Sequence, residues 1–223
     1  KRYADGAVSV TGVHRVGASI NSAGISTRPL FATLLAAAWL GETVTAVTIV
    51  GIVILVSGLV VLTTSKGGDI SGWDPIHLVY PLAAAAAFGF GNVLRRLGLQ
   101  GANVTLLEAV AINEFAALVV LASYAVWQDR EDVMQAPRST YAYFAGSGTI
   151  TAVALLSLFA ALQIGRVVVV DPLAATAPLF TTVFAAVFLR DLEQVTRGVV
   201  AGAVLVVAGV ALIVGGSELL GAL

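Results

Sequence analysis

Few residues in this sequence could do chemistry, and the informative ones sit inside long apolar runs. Glu114 stands 11 residues into "NVTLLEAVAINEFAALVVLASYAVW", Asn103 to Trp127. At a helical rise of 1.5 Å per residue, that is about 16 Å from the start of the run. A charge at such a depth in lipid costs about 2.5–3.5 kcal/mol, so the side chain must face protein or water, find a cation, or hold a proton. Asn113 beside it adds an amide. Asp171 directly precedes Pro172 in another run, where it either caps amides freed by the helix break or takes part in binding. Arg28 abuts Pro29. It can snorkel to the interface, neutralise Glu114 or Asp171, or receive a substrate carboxylate. Thr27, Thr176 and Asn92 are neutral candidates to line the same site. Together these residue types allow proton uptake and reversible binding of a small polar solute.

Catalysis finds no comparable set. A hydrolase needs a nucleophile with a base, or a metal site. His14 and His77 are the only histidines, both near the ends of runs, and no H-E-x-x-H is present. "AGSGT" (Ala145 to Thr149) lacks the spaced G-x-S-x-G elbow. The chain has no cysteine, which excludes disulfides and thiolate metal sites. No Walker motif provides for ATP-driven pumping. The expectation is therefore no enzyme, no metal and no cofactor. A net charge of −1 leaves no basic surface for nucleic acid.

The elements that must hold these residues follow from composition. Of 223 residues, 58% are apolar and 11% charged, with a mean hydropathy of +0.96; soluble domains carry about a quarter charged residues. Seven apolar runs can be marked, near 22–40, 44–63, 76–97, 103–127, 140–162, 167–189 and 196–216. Each is long enough to cross a bilayer's hydrocarbon core. Lipid offers backbone groups no water, and the runs lack strand alternation, so each must be a helix. The fold class is all-α, a polytopic transmembrane bundle with the lipid bilayer as its first partner.

The runs also repeat. "RPLFATLLAAAWLGE" (Arg28 to Glu42) returns as "APLFTTVFAAVFLRDLE" (Ala177 to Glu193), with Arg190-Asp191 inserted. Nine residues beyond each Glu comes a glycine, Gly51 and Gly202, and seven further on another, Gly58 and Gly209. "GAVSV" at Gly6 resembles "GRVVVV" at Gly165, which leaves "TGVHRVGASI" (Thr11 to Ile20) as an extra segment of the first copy. In this register 76–216 is a complete five-helix repeat and 64–75 a linker, while 217–223 is a tail. Residues 1–63 are the end of a first repeat, a stub of its third helix and its last two helices, with roughly 85 residues expected ahead of them. A unit with an odd number of spans ends on the opposite side from its start, so its copy must be inverted. Matched prolines in the two copies, Pro29 and Pro178, with Pro172 as a second break, point to the lining of a central site. Glu42 and Glu193 read as markers that close their own helices.

"PLFATLLAAAWLGE" followed by "GIVILVSGLVVL", and "PLFTTVFAAVFLRDLE" followed by "GAVLVVAGVALIV", resemble the two signature ends of the EamA-type drug/metabolite transporter (DMT) superfamily. The resemblance implies ten helices in two inverted five-helix halves around a central cavity. It also implies secondary-active export or exchange of small metabolites, often amino acids or related compounds, without ATP. A multi-pass protein of a prokaryotic cell membrane is expected, and ten arginines against two lysines reflect a GC-rich genome more than a function. Proton coupling through Glu114 and a homodimer are both compatible with the residues. A channel or a non-transporting scaffold is the alternative, although no ring of like groups suggests a pore.

Overall fold

The computed structural model describes residues 18–65, 75–101, 104–127, 138–188 and 196–221. These residues form helices and no strand. The helices are α1 (Ala18–Ile25), α2 (Arg28–Trp39), α3 (Ala46–Thr64), α4 (Val79–Gly101), α5 (Leu106–Trp127), α6 (Arg138–Ile164), α7 (Val167–Ala174), α8 (Ala177–Phe188) and α9 (Arg197–Gly221). A short 3₁₀ turn, Pro75–Leu78, leads into α4. Five stretches are long and apolar enough to cross a membrane: Ala46–Thr64, Ile76–Gly101, Leu106–Ser123, Tyr141–Ile164 and Arg197–Gly216. The other two expected spans, 22–40 and 167–189, are each divided into two shorter helices, α1–α2 and α7–α8.

The two divided helices break alike. Ser26-Thr27 separates α1 from α2, and Ala175-Thr176 separates α7 from α8. Thr27 Oγ1 donates to the Gly24 carbonyl at 2.7 Å, and Thr176 Oγ1 donates to the Leu173 carbonyl at 2.7 Å. Each threonine carbonyl then accepts the first amide three residues on, from Leu30 at 3.0 Å and Leu179 at 2.8 Å. Pro29 and Pro178 thus stand in the first turn of a new helix, where a missing N–H costs nothing. Of Pro29, Pro172 and Pro178, only Pro172 lies beyond the first turn of its helix. The common offset is 149 residues, from Pro29 to Pro178, and it makes Ala18–Ile25 the counterpart of Val167–Ala174. Residues 18–20 therefore do have an equivalent in the second copy, which corrects the reading of 11–20 as an extra segment. The Gly6/Gly165 match that produced it is out of register. Residues 1–17 and Glu193 lie outside the described part.

The chain divides into two compact units, one of residues up to 94 and from 166 onward, the other Arg95–Gly165. The first is organised by α3 and α9, the equivalent helices of the two copies. Thr45 caps α3 by accepting from the Thr48 amide at 3.0 Å, and Thr196 caps α9 by accepting from Val199 at 3.3 Å. A Cβ built on Gly51 would lie 2.9 Å from the Gly209 carbonyl oxygen, and one on Gly58 would lie 2.9 Å from that of Gly202. The reverse contacts are 2.9 Å from Gly202 to the Gly58 oxygen and 2.7 Å from Gly209 to the Gly51 oxygen. Early residues of α3 therefore meet late residues of α9, and the helices run antiparallel. Exchanging each residue for its equivalent maps this set of contacts onto itself. That is the signature of a two-fold axis perpendicular to both helices, and the copies are inverted. In lipid, close approach by glycines supplies the packing that water would otherwise drive. Ile52, Leu55, Val56 and Leu59 of α3 fill the rest of the seam with Val206 and Ile213 of α9.

Glycine also brings α4 close. A Cβ on Gly24 of α1 would fall 2.6 Å from Pro81 Cβ, and one on Gly89 would fall 2.9 Å from the Ala32 amide of α2. Trp39 and Phe90 meet edge to face beside that contact, ring centres 5.4 Å apart.

In the second unit, α5 and α6 pack on one another and expose most of their described side chains. A capping box starts α5: the Thr105 amide donates to Glu108 Oε2 at 2.7 Å, and the Glu108 amide to Thr105 Oγ1 at 3.4 Å. Arg96 donates to the last carbonyls of α6, Leu162 and Gln163, which satisfies an end the helix cannot satisfy itself.

The seam predicts an asymmetric pair of outcomes. Gly209→Ala sets a Cβ about 2.5 Å from the Leu55 amide nitrogen and should cost about 1–3 kcal/mol by overpacking. Gly98→Ala meets nothing within 4 Å and should gain up to about 1 kcal/mol from helix propensity. Thermal unfolding in detergent micelles compares the two, and equal midpoints would contradict the packing described.

Candidate functional site

The glycine contacts that seat α4 also deliver a polar side chain. Asn92 follows Gly89 by one turn and is 3% exposed. Its Nδ2 donates to Asp171 Oδ1 of α7. From α2, Arg28 Nε lies 3.2 Å from Asp171 Oδ1 and 3.3 Å from Oδ2, and Nη2 donates to the Asp171 carbonyl at 3.3 Å. Asp171 is completely buried, while Arg28 keeps 21% of its side chain exposed. Three of the residues singled out from sequence, on α2, α4 and α7, thus converge at the helix breaks. Asp171 is not a local cap: its carboxylate is spent on other helices.

Electrostatics explains the arrangement. Arg28 occupies the first position of α2, where the helix's positive end disfavours a cation. Asp171 offsets that charge and is itself too deep to stay ionised without a partner. Pro172 carries no N–H, which removes the i+4 donor of the Val168 carbonyl, while the Asp171 carbonyl accepts from both the Ala175 amide at 2.9 Å and Arg28 Nη2. The pair has no charged twin. At the equivalent positions stand Ala177 and Ser22, and the Ser22 carbonyl accepts instead from Ser26 Oγ at 2.8 Å.

Thr27 and Thr176 flank the site, but their hydroxyl protons are committed to the turns. As lining groups they can offer acceptor oxygens only. Pro29 and Pro172 are buried and Pro178 is half-buried. Asn21 of α1, not picked out from sequence, is 3% exposed and its Oδ1 has no hydrogen-bond partner. A buried, unanswered amide is a candidate contact for a bound solute. The signal is an amide six residues before Thr27 in a stretch otherwise made of apolar residues, glycine and serine.

Glu114 and Asn113 belong to the second unit, where they form a chain. Arg95 Nε donates to Asn113 Oδ1 at 3.2 Å, and Asn113 Nδ2 donates to Glu114 Oε1 at 3.0 Å. Arg95 also lies over the Phe159 ring, 5.7 Å from its centre. Glu114 is exposed on α5, near the middle of the Leu106–Ser123 span, and its link to a cation runs through one amide. Among the described residues no group of three or more His, Cys, Asp or Glu could hold a metal.

Glu42 closes its own helix, as its place in the sequence suggests, through its amide, which donates to the Ala36 carbonyl at 3.3 Å. Its carboxylate has a second role and caps α7 of the other copy. Oε1 accepts from the Val167 amide and Oε2 from the Val168 amide, both at 2.9 Å. Gly41, with φ of 65°, turns the chain out of α2 in the left-handed conformation glycine favours and directs Glu42 towards α7. Arg166 adds contacts from Nη1 to the Thr43 carbonyl at 3.4 Å and hydroxyl at 3.3 Å. A carboxylate on free amides at a helix's positive end is worth about 1.5–3 kcal/mol per bond. Only the partner, 125 residues away, could not be read.

Comparison with known proteins places this geometry. The model of the EamA-like transporter family matches residues 7–64 and 76–215. Among curated proteins, none matches the sequence. Twelve chains of solved structures match. One, described only as "Crystal structure of protein", superposes with a TM-score of 0.78 over 95% of this chain and 72% of its own, at 18% identity. That likeness concerns the fold.

Breaking the buried pair from one side should be severe. Asp171→Ala removes the carboxylate that answers the Arg28 charge and the Asn92 amide and should cost about 3–5 kcal/mol. The double variant Arg28→Met/Asp171→Leu should recover most of that loss in detergent unfolding. A double variant as unstable as the single would mean that Asp171 is held by other contacts.

Proposed function

Since the chain belongs to the EamA-like transporter family, membrane transporters of the drug/metabolite type, we propose that it is a secondary-active carrier that exports or exchanges small metabolites by alternating access. The observation that carries this reading is the Arg28–Asp171–Asn92 cluster, a buried polar site where divided helices of two inverted copies meet. Inverted copies with matched helix breaks are the plan on which many carriers rock about a central site.

The chemistry of the cluster favours amino acids or related compounds. Arg28 is a planar fork suited to a carboxylate, and Asp171 is an acceptor suited to an ammonium group. A small zwitterion that parts the pair can satisfy both and leaves neither charge unpaired in a dry site. Asn92 and Asn21 can read its remaining polar atoms. Glu114, an acid at mid-span tied to Arg95 through Asn113, is the group proposed to carry a proton if flux is proton-coupled. The cell membrane of a prokaryote is the compartment that fits a multi-pass carrier of this composition.

Counterflow in proteoliposomes with a panel of amino acids and related metabolites tests the proposal. Arg28→Gln and Asp171→Asn should each lower exchange at least about tenfold, the equivalent of about 1.4 kcal/mol. Glu114→Gln should remove the response to a pH gradient while exchange persists. No solute-dependent flux across the panel would instead favour a scaffold or channel.

A further inference from the structure

We propose that Glu42 is the latch of a gate, holding the end of α2 against the start of α7 and releasing it once per transport cycle. This rests on the carrier reading. The contact joins the two inverted copies directly, with both carboxylate oxygens bound to backbone amides at 2.9 Å and Arg166 reaching Thr43 beside them. It lies at one end of a longer seam. At the other end Arg28, the first residue of α2, grips Asp171 late in α7. Two ionic fastenings thus bracket the antiparallel pair α2–α7, which pack along each other.

The equivalent seam would join α1 to α8. There the charged pair is replaced by Ser22 and Ala177, and the counterpart of Glu42, Glu193, lies outside the described residues. In this structure the α2–α7 seam is shut at both ends. Alternating access requires the shut seam to part when the other closes. The two fastenings differ in how readily they can let go. Asp171 is completely buried and cannot release its partner to water. Glu42 and Arg166 are half-buried and Thr43 is exposed, so the carboxylate can turn to water, whereas the residues whose amides it holds, Val167 and Val168, are buried and become accessible only when the seam opens. Gly41 makes the turn that aims the latch: its positive φ is one that L side chains rarely adopt, and it lets the Glu42 amide close α2 on the Ala36 carbonyl while the carboxylate stays free to leave α7.

The absence of cysteine from the chain gives a direct test. Val168→Cys puts a thiol in the seam at a residue 1% exposed, and Val206→Cys puts one in the fully buried α3–α9 contact. In reconstituted protein, with no solute present, a membrane-impermeant maleimide should label the Val168→Cys site slowly. Glu42→Gln should speed that labelling, and Glu42→Ala should speed it about tenfold, equivalent to about 1.4 kcal/mol. The Val206→Cys site should stay unlabelled throughout. Unchanged labelling in both Glu42 variants would make the contact a static cap and overturn the latch. Labelling that rises at both cysteine sites would overturn it too, by showing a bundle loosened as a whole. Glu42→Gln keeps the length and shape of the side chain, so the test survives if Glu42→Ala fails to fold. Since no transported solute is needed, a blank result in counterflow leaves this outcome independent.

Discussion

Everything described depends on two backbones touching. Gly51 and Gly58 of α3 interlock with Gly202 and Gly209 of α9 so closely that a methyl group at any of the four would meet carbonyl oxygens or amides at 2.5–2.9 Å. Between membrane helices no hydrophobic force favours burial of leucine over lipid, so contact of this kind must supply the association. The two glycines of each helix are seven residues apart, two turns, which keeps both on one face. An antiparallel pairing lets each pair meet the other in opposite order. That single geometry makes the copies inverted rather than tandem.

The rest of the first unit follows from that inversion. With α3 and α9 antiparallel, the divided helices that precede them also run oppositely, and the end of α2 comes to the start of α7. There the unsatisfied amides of a new helix meet the acid that follows an old one. The same logic places Arg28, at the start of α2, near the far end of α7, where Asp171 waits. Polar groups that would each be costly alone in lipid are made tolerable by meeting. Close approach at Gly89 adds Asn92 to the set.

Most of this architecture was legible before any coordinates. The glycine pairs, the prolines and the closing acids stood in matched register, and an odd number of spans required inversion. Arg28, Asp171 and Asn92 were candidates because intramembrane polar groups are rare. Their convergence was not legible, since they lie on three helices separated by up to 143 residues and no periodicity encodes which faces meet. The helix breaks were read as prolines, but the break itself is a threonine-closed turn. Proline merely opens the helix that follows. The register of residues 18–20 went wrong because a match of small and β-branched residues around Gly6 is weak in a chain made largely of such residues. Glu42 is legible as the close of its own helix, which its amide makes, but only tertiary structure shows which helix start its carboxylate serves.

The two copies share a backbone plan but not a charge plan. Where one has Arg28 and Asp171, the other has Ala177 and Ser22. Because the copies are related by rotation, exchanging their roles would carry Arg28 and Asp171 out of the one contact that makes both charges tolerable in lipid. On the carrier reading, the two shapes are therefore unequal in energy before any cargo arrives.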